Sequence, residues 1–192
     1  MAGIAADDGR LLWQQKFRSG VVVAQSPIVS GDMIYAAAAG GTGCKAVRLT
    51  APDQAEVVYA NKVMKNLPGG AVLFQKHLYG YSDSIGWVCQ DWESCEEVWS
   101  SKALEKGSVT IAGRMLYCLT EDKGVMVLAD ASPEGWRERG RFLLTPQSGQ
   151  RAKQAKVWSP PVIAHGRLYL RDQERLWCFE IADPSDPRDG RR

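Results

Sequence analysis

Several things are scarce in this sequence of 192 residues, and each scarcity removes a class of protein. Only two histidines are present, His77 and His165. No apolar run approaches the roughly 18 to 20 residues needed to span a bilayer, which excludes a transmembrane helix. Residues 1–8 have neither a basic stretch nor a long apolar core, so no signal peptide is read there. Charge of one sign is also lacking: 24 basic against 22 acidic side chains leave a net +2. No field of that size steers nucleic acid. The five cysteines are an odd number and fit no zinc spacing. Finally, apolar residues nowhere persist at helical spacing over several turns. The expected class is all-β.

What the chain does have is a repeat. Residues 162–169 read VIAHGRLY, and 28–35 read IVSGDMIY. Residues 110–117 read TIAGRMLY, and a weaker copy, VLFQKHLY, occupies 72–79. Each opens on a β-branched residue, breaks at a polar or glycine-containing centre, and closes on a tyrosine. The pattern is a strand, a tight turn and a second strand. Tyr35, Tyr79, Tyr117 and Tyr169 are 44, 38 and 52 residues apart. Periods of about 40 to 50 residues mark propeller blades of four strands, which stack because one blade cannot bury both faces. The chain is expected to be a β-propeller array of about four antiparallel blades, filling residues 1–183 as one domain. Residues 184–192, rich in Pro, Asp and Arg, are expected to be a disordered polar tail.

Taken in order, residues 3–17 read as the outer strands of one blade, turning at Asp8-Gly9. The first full blade begins near Val21 and runs through the Tyr35 hairpin to residues 44–49 and 56–60. The second fills residues 69–101 and the third 107–144. A polar loop over residues 146–156 precedes a last blade of three strands, the third at 175–181. The ends of such an array have two possible arrangements. Residues 10–17 could pair with 176–181 and close a four-bladed ring. Alternatively the blades form an open arc, as in half of a larger propeller, and the chain then dimerises. The open arc is the expectation, because four blades demand much sharper wedge angles.

The segment 89–99, CQDWESCEEVW, resembles the tryptophan-docking repeat of quinoprotein-type propellers. That pattern is Ala, any residue, Asp, two of any, Thr, Gly, three of any, Trp. Asp91 and Trp99 match it, Ser94 stands for the Thr and Cys95 replaces the Gly. A second copy over residues 3–13 keeps Gly9 and Trp13 but has Ala5 where the Asp belongs. The glycine permits the positive φ of the turn, and the indole stacks on the adjacent blade. Across nearly its whole length the chain resembles the C-terminal half of the PQQ-like β-propeller repeat proteins. The resemblance implies an extracytoplasmic bacterial protein and a fold shared by polyvinyl-alcohol dehydrogenase-like enzymes and by an outer-membrane assembly lipoprotein. Enzymes of this kind resemble one another in an adjacent Cys-Cys pair, a Ca²⁺ held by Glu and Asn, and an Asp base. This chain has no Cys-Cys dipeptide, so no catalytic residue carries over.

Other chemistry finds little support. Gly40, Gly41, Thr42 and Gly43 form a glycine-rich turn, but no helix follows to make a phosphate loop. Glu96 and Glu97 face opposite sides of a strand and cannot share a metal ion. Cys89 and Cys95, six apart across a strand and turn, could bridge a hairpin or remain reduced. Both histidines lie at turns, where solvation is the simple reading. If one face carries a pocket, Gly40–Gly43 and the loop Ser82, Asp83 and Ser84 are its expected lining, since function gathers on loops of a rigid frame. The functional expectation is a non-catalytic scaffold or protein-interaction module, its partner another protein or a second propeller half. The alternative is a fragment of a quinoprotein-class oxidoreductase, for which pyrroloquinoline quinone and Ca²⁺ would be the cofactors.

Overall fold

Each octapeptide folds in the same way, and this sets the architecture. In the computed structural model, which describes residues 1–17, 25–67 and 69–182, Ile28 pairs with Tyr35 and Val72 with Tyr79. Thr110 likewise pairs with Tyr117, and Val162 with Tyr169. Two residues form the turn each time: Gly31-Asp32, Gln75-Lys76, Gly113-Arg114 and His165-Gly166. Two-residue hairpins whose twist matches their strands need positive φ in the turn. Gly31 and Gly113 supply it at 58° each, whereas Gln75 and Lys76 adopt 46° and 66° without being glycine.

Further strands extend three of these hairpins into four-stranded antiparallel sheets that follow chain order. Blade 1 holds β3 (Ile28–Ser30), β4 (Met33–Ala38), β5 (Gly43–Ala51) and β6 (Gln54–Asn61). Blade 2 holds β7 (Ala71–Phe74), β8 (His77–Ser82), β9 (Gly86–Asp91) and β10 (Glu97–Ser101). Blade 3 holds β11 (Gly107–Ala112), β12 (Met115–Thr120), β13 (Val125–Asp130) and β14 (Glu138–Leu143). Blade 4 has three strands, β15 (Val162–Ala164), β16 (Arg167–Asp172) and β17 (Arg175–Glu180). Before blade 1 comes a two-stranded sheet of β1 (Ala2–Ile4) and β2 (Leu11–Gln14). None of the described residues is helical. Val21, placed at the start of blade 1 by the sequence, and the expected tail over 184–192 lie outside the described residues.

The core is three separate clusters, one at each junction between blades. Tyr35, Ala37, Cys44 and Ala46 of blade 1 meet Leu78, Val88 and Cys95 of blade 2. Tyr79, Trp87 and Cys89 of blade 2 meet Leu116, Cys118 and Val127 of blade 3. Leu119 and Met126 of blade 3 meet Leu168 and Leu170 of blade 4. Side chains alternate across a strand, so β9 sends Trp87 and Cys89 one way and Val88 the other. A strand covered on both faces is apolar throughout, and the middle strands read that way.

This alternation also separates Cys89 from Cys95. One packs against blade 3 and the other against blade 1, and all five cysteines are free thiols. The hairpin disulfide open to them in the sequence is therefore not made. Nor does β2 pair with β17: the only sheet partner of β2 is β1, and that of β17 is β16. The strand pairing that would close a four-bladed ring is absent among the described residues.

Candidate functional site

The turn after β9 is built around Asp91. Its Oδ1 accepts the backbone N–H groups of Glu93 and Ser94 at 2.9 and 2.7 Å, and the Ser94 Oγ accepts that of Glu96 at 3.3 Å. Burial alone would raise the Asp91 carboxyl, but the Ser94 and Glu93 amides outweigh it and hold it below its ordinary value. Cys95 closes the turn at φ 64°, the left-handed conformation for which the repeat pattern has glycine. In the first copy Gly9 has φ 74°, and buried Trp13 lies over Gly3, where a Cβ would meet the indole Nε1 at 2.1 Å.

Trp99, on β10, reaches blade 3. Its indole N–H donates to the Ser132 carbonyl at 2.9 Å, and its ring lies 6.1 Å from Tyr79 and 6.4 Å from Trp136. The side chain is half-buried. Trp99→Ala is therefore expected to cost about 2–4 kcal/mol, somewhat under the range for fully enclosed tryptophans. Urea denaturation measures it, and a loss under about 1 kcal/mol would mean that the indole docks nothing.

The presumed face loops divide. Gly40 and Gly41 are exposed, whereas Gly43 is buried in β5, where a Cβ would strike the Asn61 carbonyl at 2.0 Å. Ser82 is buried and fully used, accepting from the Lys65 N–H at 2.9 Å and donating to the Val63 carbonyl at 2.7 Å. It is a brace, so exposed lining at this turn falls to Ser84 and to Asp83, which pairs with Lys106 at 2.6 Å.

The most concentrated chemistry lies between blades 1 and 2, and sequence reasoning did not bring it together. Cys44 Sγ and Cys95 Sγ are 3.9 Å apart, both buried. Asn61 bridges them: its Nδ2 donates to Cys95 Sγ at 2.9 Å and its Oδ1 accepts from Cys44 Sγ at 3.0 Å. The Gln90 Nε2 also donates to Cys95 Sγ, at 2.9 Å, while its Oε1 accepts the Tyr35 hydroxyl at 2.9 Å. The Cys95 thiol, opposed by burial but helped by Gln90, the Met64 backbone and Tyr35, lowers Cys44 to about 6. Cys95 itself is held up, because its proton is shared with Cys44 and the site is buried. Cys89, by contrast, is pushed up to about 12 by burial, which its hydrogen bond with Tyr79 only partly offsets. The only sequence signal for this cluster was the cysteine in a glycine position.

A second buried polar unit ties down the loop before blade 4. Asp172 has no exposed side-chain surface, and Arg151 grips it through Nε at 3.0 Å and through Nη2. The Ser148 N–H adds a bond to Asp172 at 3.2 Å, and Arg151 Nη1 donates to the Asp122 carbonyl at 3.0 Å. An apolar cavity of about 460 Å³ opens between blades 3 and 4, lined by Tyr117, Met126, Phe142, Leu168 and Phe179. The opposite face of blade 4 looks away from the array. The β17 register places Leu176 and Cys178 there beside Tyr169 and Val162, with Leu176 67% and Val162 53% exposed.

Sheets of three or four antiparallel strands, joined in chain order and stacked face to face, define a β-propeller repeat array. Residues 1–56 match the family model described as outer membrane protein assembly factor BamB. Among solved structures, BamB from Moraxella catarrhalis aligns at 15% identity and TM-score 0.56, covering 78% of this chain and 40% of that one. The quinohemoprotein alcohol dehydrogenase from Comamonas testosteroni aligns at 12% identity and TM-score 0.57, covering 78% of this chain and 29% of that one. The computationally designed Ika4 protein aligns at 10% identity and TM-score 0.63, covering 91% of this chain and 99% of that one. A comparison with curated proteins finds no match. The chain thus spans well under half the length of the two natural neighbours. At these identities the likeness establishes the fold, and with the match over residues 1–56 it supports a PQQ-like repeat protein.

Proposed function

We propose that the chain is a non-catalytic propeller scaffold whose open end faces receive a protein partner, either a second copy or the rest of a longer propeller. The observation that carries this is the outward face of blade 4. In a stacked array such a face meets another blade, yet here it presents Leu176 and Val162 to solvent and leaves the β17 edge without a strand partner among the described residues. The two-stranded sheet at the other end exposes Ile4 and Leu11, which pair with each other. The described family of the 1–56 match, an assembly factor, agrees with such a role. By the same resemblance, the proposed location is outside the cytoplasm.

The quinoprotein reading has less in the sequence to support it. The chain has no adjacent cysteines. Its Asp91 is committed to a turn. Two measurements test the proposal. Light scattering across a concentration series should show reversible self-association, weakened by Leu176→Lys; a monodisperse monomer throughout would rule out a second copy. Adding pyrroloquinoline quinone with Ca²⁺ should leave the melting temperature unchanged, and a rise accompanied by alcohol oxidation would overturn the scaffold reading.

A further inference from the structure

We infer that Cys44 and Cys95 are a modification site, a dithiol that a small disulfide oxidant converts into a covalent bridge between blades 1 and 2. Three observations support it. The sulfurs are 3.9 Å apart, and side-chain rotation within a packed junction covers the remaining distance to a bond of about 2.05 Å. The Asn61 and Gln90 amides aim N–H groups at Cys95 Sγ, and Gln90 Nε2 is also 3.5 Å from Cys44 Sγ, so the pair sits in a polar pocket that suits a thiolate. Cys95 also occupies a left-handed backbone position that favours glycine, so the thiol is placed there against the local conformational preference. Cys89 and Cys118 differ: both are buried, with their thiols pushed up by burial, and Cys89 bonds to Tyr79 rather than to a second thiol.

The reaction balances with a low-molecular-weight disulfide, RSSR. The Cys44 thiolate attacks one sulfur of the oxidant, the S–S bond breaks and RS⁻ leaves with the electron pair. Cys95 then loses its proton and attacks the Cys44 sulfur of the mixed disulfide, expelling the second RS⁻. The protein gives up two electrons and two protons, and the oxidant becomes two RSH. Cys95 holds the Cys44 thiol below its ordinary value, which favours Cys44 as the attacking member of the pair. Both sulfurs are almost fully buried, so the first attack waits for the junction to open, and the second locks it shut.

The full-length chain carrying Cys178→Ser, which removes the exposed thiol, is incubated with oxidised glutathione and then alkylated. Peptide mass mapping should find one bridge, between Cys44 and Cys95, formed faster in urea below the unfolding transition. The bridge joins residues 51 positions apart, so oxidation should raise the melting temperature by roughly 5–15 °C, reversibly with a reductant. Cys95→Gly restores the glycine of the repeat, should fold, and should show no oxidation-dependent shift. Both thiols recovered as alkylated after prolonged oxidation would overturn the proposal. So would a bridge mapped to another pair, or a bridge that leaves the melting temperature unchanged or lower.

Discussion

Arg151→Met is expected to destabilise the protein by about 3–5 kcal/mol, more than removal of any surface charge. The substitution leaves Asp172 in place with no exposed side-chain surface and without its ion-pair partner, and breaking a buried pair in this way is strongly destabilising. Surface pairs such as Lys76–Glu93, 2.7 Å apart and exposed on both sides, are screened by water and contribute little by comparison. The pH dependence separates the two cases. Burial alone would raise the Asp172 carboxyl, but Arg151 and the Ser148 N–H outweigh it and hold it below the ordinary carboxylate value. Its contribution is therefore present above an unfolded value of about 3.9 and lost as pH falls through the lower folded one. Without Arg151 the Ser148 bond and the Arg175 charge are left to oppose burial, so the variant should begin losing stability at a higher pH than wild type. Chemical denaturation of both proteins between pH 3 and 7 reads this out, and parallel profiles would show that the pair is not coupled to folding.

Trp87→Ala is the second large expected effect, about 3–5 kcal/mol. The indole is fully enclosed between blades 2 and 3, its N–H donating to the Glu105 carbonyl at 3.2 Å. Tyr81 meets it edge-on at 5.8 Å and Trp136 lies at 5.6 Å, so truncation opens a cavity that several rigid rings cannot collapse into. Trp87→Phe keeps part of the ring contact and should lose less. Guanidinium denaturation measures both, and a loss for the alanine variant under about 1.5 kcal/mol would mean that the junction repacks freely.

Blades were legible in the sequence because one short-range signal repeats. Four octapeptides that each fix a two-residue turn also fix strand pairing, and strand pairing in chain order is the fold. Asp91 and Trp99 could be singled out for the same reason, both belonging to a local turn pattern, and the Trp99→Ala measurement tests the docking role expected of them. What stayed hidden lies between repeats. Trp87 had no assigned role, since nothing in its neighbourhood says which blade it faces. Cys44 and Cys95, 51 positions apart, meet only because β5 and the turn after β9 stack. Arg151 sits in a stretch whose composition reads as an ordinary polar loop, and its partner Asp172 is a strand residue whose burial no composition reveals. Ser82 was misplaced for a related reason: a serine beside a turn looks solvated until the backbone of the neighbouring segment comes to meet it.

The three junctions are made of different materials, and that difference governs how the molecule comes apart. The first is stitched by directional bonds among Tyr35, Gln90, Asn61 and two thiols. The second is a wall of aromatic rings. The third has an aliphatic centre, with Tyr117, Trp177 and Phe179 at its margin, and flanks an open cavity. Because no sheet borrows a strand from another among the described residues, each blade meets its neighbours chiefly through such a seam, as in linear arrays with nearest-neighbour energetics. Pulled from its two ends, such a chain would unravel seam by seam rather than all at once. Amide exchange would follow the same ladder, with blade 4 exchanging first and the ring-walled seam last.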